Sequence, residues 1–176
     1  MRTLVLLFFA LALTSCVSRR ELVRQISANP LSTSGINGTY SNSSNSSSHE
    51  LKTLLFISKK GTFNDSGLAE FQNANTVKIV YDGFKDLWIQ FRQDTELLYD
   101  FHLKVKNRGD YLQLRRKLLL IPIPFVYFHK EKLTILANDG SGNLLISGGL
   151  YELYVLFGIA GGIDDHYQGS YARIPE

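Results

Sequence analysis

From Asn75 onward apolar and polar residues alternate with a period of two, and this alternation predicts a mainly β protein. Two further observations agree. Aromatic residues make up 12% of the chain, nine of them tyrosine, a composition that suits strands more than helices. Asp82-Gly83 and Asp139-Gly140 stand between alternating runs, where tight turns belong. Together they predict a single up-and-down antiparallel barrel or closed sandwich of about 8–10 strands, with one short N-terminal helix. A barrel removes exposed edges, and a strand near each end of the domain is placed to close it.

The elements follow in order. Gly38-Thr39-Tyr40 predicts a short first strand, and the Ser/Asn tract at 41–48 a loop with no apolar content. Ser47-x-x-Glu50 is a capping box that opens a helix with Leu51, Leu54 and Leu55 on one face; Gly61 ends it. Val77, Ile79 and Tyr81 then alternate, Asp82-Gly83 turns the chain, and Leu87, Ile89 and Phe91 return. The clearest strand is 97–106, with Leu97, Tyr99, Phe101, Leu103 and Val105 on one face.

After a turn at 107–110 the next strand runs over 111–120. Setting Lys106 opposite Tyr111 brings Val105 to Leu112 and Leu103 to Leu114, apolar against apolar. That register puts Arg116 opposite Phe101, on the inside; a bulge at Arg115-Arg116 would turn it out. Ile121-Pro122-Ile123-Pro124 interrupts the ladder as a corner or an edge, since proline donates no backbone hydrogen bond. Short strands at 125–129, 133–137, 143–147, 151–157 and 167–174 complete the set.

Composition fits a globular domain, with 44% apolar and 20% charged residues. A net charge of +3 is too mild to argue for nucleic acid. One cysteine allows no internal disulfide, so stability rests on packing. Ahead of the domain, Leu22, Val23 and Ile26 lie on one side of one or two helical turns that Asn29-Pro30 ends.

The first sixteen residues carry a specific pattern. Arg2 precedes an unbroken apolar run at 4–13, about ten residues, short of the ~20 that a spanning helix needs. Leu13-Thr14-Ser15-Cys16 follows it. This stretch resembles a bacterial lipobox. The resemblance implies that residues 1–15 are a signal peptide and that Cys16 receives a diacylglyceryl thioether and an N-acyl chain. Residues 16–36 are then lipidated cysteine and tether, and 37–176 the β-barrel-like domain. Val17 stands where the aspartate that retains lipoproteins at the inner membrane is found, which implies the outer membrane. The chain is also similar to small uncharacterised envelope lipoproteins of Gram-negative bacteria. Gly38-x-Tyr40, a helix and a strand meander give a layout that resembles the lipocalins, although these carry Gly-x-Trp and Trp88 lies elsewhere.

The motifs of catalysis are not found: no Gly-x-Ser-x-Gly elbow, phosphate-binding loop or zinc-helix signature. No two of His49, His102, His129 and His166 are spaced as a metal pair, and Asp164-Asp165-His166 reads as a turn after Gly161-Gly162. The expectation is therefore a non-enzyme without metal or other cofactor, its only prosthetic group the lipid on Cys16.

Two working surfaces are open. In one, the barrel interior binds an apolar or amphipathic ligand through Arg116, Tyr99, Phe101 and Leu103, an inward arginine being costly unless it has an anionic partner. In the other, the core is filled, and the apolar run at 118–128 or an edge beside Pro122 and Pro124 docks another envelope protein. The basic group Lys104, Lys106, Arg108, Arg115 and Lys117 reads as a solvated face.

Overall fold

The computed structural model describes residues 19–26, 31–46, 48–60, 71–114, 117–123, 126–157 and 159–175. Cys16 and Arg116 lie outside them. The described elements are α1 (Arg19–Ile26), β1 (Gly38–Ser41), α2 (Leu51–Lys60), β2 (Thr76–Tyr81), β3 (Asp86–Gln93) and β4 (Glu96–Asn107). They continue with β5 (Leu112–Leu114), β6 (Lys117–Ile123), β7 (Val126–Asn138), β8 (Leu144–Leu156), β9 (Ile159–Tyr171) and β10 (Arg173–Ile174). The protein is mainly β, as its alternation predicts.

All ten strands form one antiparallel sheet in the order β10-β1-β2-β3-β4-β5-β7-β8-β9, with β6 also beside β7. The sheet is not closed by the pairing of two full strands. Its two ends are instead consecutive in the chain, because only Ala172 separates β9 from β10. The carbonyl of Ala172 accepts from the amide of Ser41 at 2.9 Å. One stretch of backbone thus meets β8 first and β1 next.

Helix α2 supplies much of the core. Leu51, Leu54, Leu55, Phe56 and Ile57 pack against the face that carries Val77, Ile89, Phe91, Leu136 and Ile146. Fully burying an aliphatic or phenyl side chain of this size is worth about 1.5–3 kcal/mol. The helix start is fixed from a distance: Asn42 accepts the Leu51 amide on its carbonyl (3.0 Å) and the Lys52 amide on its side chain (2.9 Å). Ser47, expected as the cap, lies outside the described residues.

Helix α1 covers the opposite face of the sheet. Leu22 and Ile26 pack with Leu133, Ile135 and Ala137 of β7, so residues 131–138 of that strand are buried throughout. Both helical stretches agree with the sequence: α2 is the helix expected after Glu50, and α1 the one or two turns read at Leu22, Val23 and Ile26. Part of the 16–36 stretch belongs to the folded body, since Ile36 also joins the main core.

Three expectations about strands are corrected. First, Val105 pairs with Leu114 and Lys106 with Gln113, a shift of two residues from the expected register. An even shift keeps the apolar faces matched, so pattern alone does not choose between the two. Second, Gln113 meets Ile135 while Lys117 meets Lys132, so four steps on one strand stand against three on β7. The two pairings are thus one residue out of step on either side of positions 115 and 116, which lie outside the described residues.

Third, the short strands expected after residue 125 merge into three of thirteen residues each. The strand β9 runs straight through Gly161-Gly162 and Asp164-Asp165-His166, where a turn was expected. A further slip between Phe91 and Arg92 leaves Leu98 as the extra residue of β4, so Leu97 ends up on the outside, half exposed.

Candidate functional site

The expected ligand-binding residues come together, but around the protein's own side chains. Tyr99 and Phe101 lie 5.9 Å apart, ring to ring, and Phe91 is within 6.2 Å of both. Phe71 stacks on Tyr99 at 5.4 Å, and Phe56 meets it edge-on at 6.5 Å. Lys59 closes the group: its Nζ donates to the Tyr99 hydroxyl at 2.9 Å and sits 4.8 Å from the Phe101 ring centroid. Leu103 packs partly buried against the same core. The lining expected for a ligand is occupied here by α2 and its neighbours.

A second buried group is polar. The Thr134 and Tyr167 hydroxyls are 2.7 Å apart, and Ser58 Oγ lies 3.1 Å from Thr134 while donating to the Leu54 carbonyl at 2.8 Å. Burial pushes the Tyr167 phenol above its ordinary range, so it stays a neutral donor. Beside it the Lys132 ammonium donates to the Ile57 carbonyl in the last turn of α2, where the helix dipole favours a cation. These bonds fasten α2 to β7 and β9. They are a structural clasp, shielded from any substrate.

Other sequence-stressed groups are engaged as well. Lys104 pairs with Asp86 at 2.5 Å, and Arg108 donates to Gln113 at 3.3 Å. His166 reaches Asp164 at 3.0 Å on an exposed face, while buried His129 lies 3.7 Å from Glu131. Among the described residues no three His, Cys, Asp or Glu side chains gather as a metal site. No described helix is long and apolar enough to cross a membrane.

The unusual surface is the far half of the long hairpins. β7 pairs with β8, and β8 with β9, over thirteen residues each without a register slip, and β6 lies along the far half of β7. Beyond the row of Lys132, Leu150 and Asp165, these four strands continue as a tongue. Its core-side face carries successive cross-strand rows. Leu119, Lys130, Glu152 and Ile163 form the first row; Ile121, Phe128, Tyr154 and Gly161 the second; Val126, Leu156 and Ile159 the last. Lys130 and Glu152 make a 2.8 Å ion pair that bars the core from the tip.

Among the described residues, eight of the twelve large apolar side chains that stand exposed are on this tongue: Leu119, Leu120, Ile121, Tyr154, Leu156, Phe157, Ile159 and Ile163. Such a concentration exceeds the scattered apolar exposure of an ordinary surface. Phe157 and Ile159 at the end are each about three-quarters exposed, at 75% and 74%. Among the described residues β6 has no ladder partner besides β7, and over 159–168 β9 has none besides β8. Pro122 on β6 is the kind of residue that blunts a free edge.

The β8–β9 connection is also strained. Only Phe157 and Gly158 separate the strands, and Phe157 has φ of +48°. Two-residue hairpins favour Asn or Gly at such a position. A left-handed backbone costs an ordinary residue roughly 1–2 kcal/mol. The most exposed phenylalanine among the described residues thus stands on a backbone that disfavours it.

Glycines make room for cross-strand tyrosines in the long hairpins. A Cβ on Gly148 would lie 2.3 Å from the Tyr167 ring, its cross-strand partner; on Gly161 it would lie 2.4 Å from the hydroxyl of its own partner, Tyr154. In each pair a tyrosine ring lies over the glycine.

The tongue was half visible in the sequence: the 118–128 run and its two prolines stood out, whereas its β8 and β9 half did not. No family model matches this chain, and neither a curated protein nor a solved structure matches it. The site therefore stands on its own geometry.

Proposed function

We propose that the chain is a non-catalytic binding module of the bacterial cell envelope, anchored by lipid on Cys16 at the outer membrane. It binds through the outside of its tongue. The observation that carries this reading is the contrast between the two apolar groups. Tyr99 and Phe101 are packed into the protein's own aromatic cluster, whereas Leu119, Tyr154, Leu156 and Ile159 are turned to solvent. An interior site needs room that Phe56, Phe71 and Lys59 take up. The polar clasp around Tyr167 is consistent with a structural core, since its hydroxyls already satisfy one another.

Two measurements on residues 17–176 test this together. Native mass spectrometry after gentle extraction is expected to give the mass of the bare chain. A photo-reactive residue at Leu120 or Tyr154 in intact cells is expected to give adducts of protein or lipid mass, and one at Trp88 none. A stoichiometric internal ligand, with no adduct at the tongue, would overturn the reading in favour of the interior.

A further inference from the structure

Resting on that reading, we infer that the tip of the tongue inserts into the interface of a lipid bilayer. The argument is the order of chemistry along the strands. At the end stand Leu156, Phe157 and Ile159, all apolar and all half or more exposed. One row back come Tyr154 and Phe128, with Tyr127 one residue along β7 from Phe128. Another row back the Lys130–Glu152 ion pair sits between Leu119 and Ile163, followed by the packed core. Apolar residues at the tip, then rings that include the amphipathic Tyr154 and Tyr127, then the first charges is the order met on passing from acyl chains through headgroups to water.

The dimensions agree. Three residues separate Phe157 from Tyr154, about 10 Å of strand, which matches the depth of ~5–10 Å that interfacial apolar faces reach. The patch is also end-on. Both hairpins, β6–β7 and β8–β9, finish at the same end, because Val126 pairs with both Ile123 and Leu156. A protein partner would fit the flat faces or free edges of the sheet, whereas only a narrow end meets a bilayer here. The left-handed Phe157 points the same way: an aromatic side chain is kept at the extreme tip against its backbone preference. Together with the acyl chains on Cys16 this gives the chain a second contact with a membrane.

The test is flotation of residues 17–176, which contain every described residue and carry no lipid, with mixed phosphatidylethanolamine and phosphatidylglycerol vesicles. The chain is expected to float with the vesicles. Phe157→Asp combined with Ile159→Asp is expected to lower the bound fraction roughly tenfold or more. Phe157→Gly, which relieves the left-handed backbone and so guards against misfolding, is expected to lower it several-fold. Phe84→Asp, an equally exposed aromatic far from the tongue, is expected to change nothing. Equal flotation of all variants would overturn the inference.

A chain that ignores vesicles, yet self-associates or captures a protein through the same tip residues, would also overturn it while leaving the tongue as the binding surface. If vesicles, self-association and cellular adducts are all absent, both the inference and the reading beneath it fall.

Discussion

The strands β7, β8 and β9 are each divided into two halves that share one register and one glycine–tyrosine device but differ in what covers them. In the near half, Leu136, Ile146 and Tyr167 face α2, and the outer face lies under α1. In the far half the same core-side face carries Tyr154, Leu156 and Ile159, and the row of Leu119, Lys130, Glu152 and Ile163 stands between it and the core. Strand pairing is therefore not what separates core from surface here. The helices decide it, because a sheet face is a core only where another layer rests on it.

Substitutions at matched positions should break this comparison open, and the largest effect is expected in the core. Phe91→Ala empties a fully buried site between Phe71 and Phe101, at a cost of about 3–5 kcal/mol. Ile159→Ala in the far half should stay within about 0.5 kcal/mol. Chemical denaturation of the two variants checks both, and equal losses would mean that the tongue is as structural as the packed core.

The glycine–tyrosine pairs sharpen it next. At Gly148 an added methyl meets a Tyr167 ring held by Thr134, so Gly148→Ala is expected to cost about 1–3 kcal/mol. At Gly161 the ring of Tyr154 is half exposed and free to swing aside, and Gly161→Ala should cost less than half as much. Thermal unfolding of the pair is the check.

A smaller effect follows from the clasp. Tyr167→Phe removes a hydroxyl that Thr134 and Ser58 engage, worth about 1 kcal/mol. It should also alter the response to alkali. Burial raises the phenols of Tyr167, Tyr171 and Tyr40, whereas unfolded tyrosines ionise near 10. Stability is then whole below about pH 10 and falls as pH rises further, because only the unfolded state releases these protons. Stability measured from pH 8 to 11 should show that fall, and Tyr167→Phe should make it shallower.

The smallest effect has the opposite sign. Phe157→Gly removes the left-handed penalty of roughly 1–2 kcal/mol and incurs a glycine entropy of about 0.5–1, leaving a net gain of about 0–1.5 kcal/mol. A variant that is more stable yet binds vesicles less well would place the tip outside the folding requirement.

Much of the near half was legible in the sequence, and particular residues show why the far half was not. Val77, Ile79, Leu87, Ile89 and Phe91 alternate plainly, and all five are fully buried as that pattern predicts. Leu22, Val23 and Ile26 likewise mark the face that α1 buries or half-buries. By contrast, Lys130-Glu131-Lys132, Gly148-Gly149 and Gly161-Gly162 look like interruptions when read along the chain. Each is continuous strand, because its partner lies on another strand: Glu152 for Lys130, Tyr167 for Gly148 and Tyr154 for Gly161. Cross-strand partners seven to twenty-two positions apart leave no local mark. The register at β4–β5 failed for a related reason, since a two-residue shift preserves every apolar match. Tyr99 and Phe101 were read correctly as inward-facing. That Phe56, Phe71 and Lys59 would fill the space beside them depends on where α2 docks, which periodicity does not encode.

One measurement compares the two halves directly. Trp88 is half exposed on β3, outside the tongue, and is the only tryptophan of the chain. With brominated-lipid vesicles, the parent chain should show neither quenching nor a blue shift at Trp88. Phe157→Trp in a Trp88→Phe background should show both. Quenching at Trp88, or none at position 157, would contradict the claim that the tip of the tongue, and not the body of the sheet, is the end that binds.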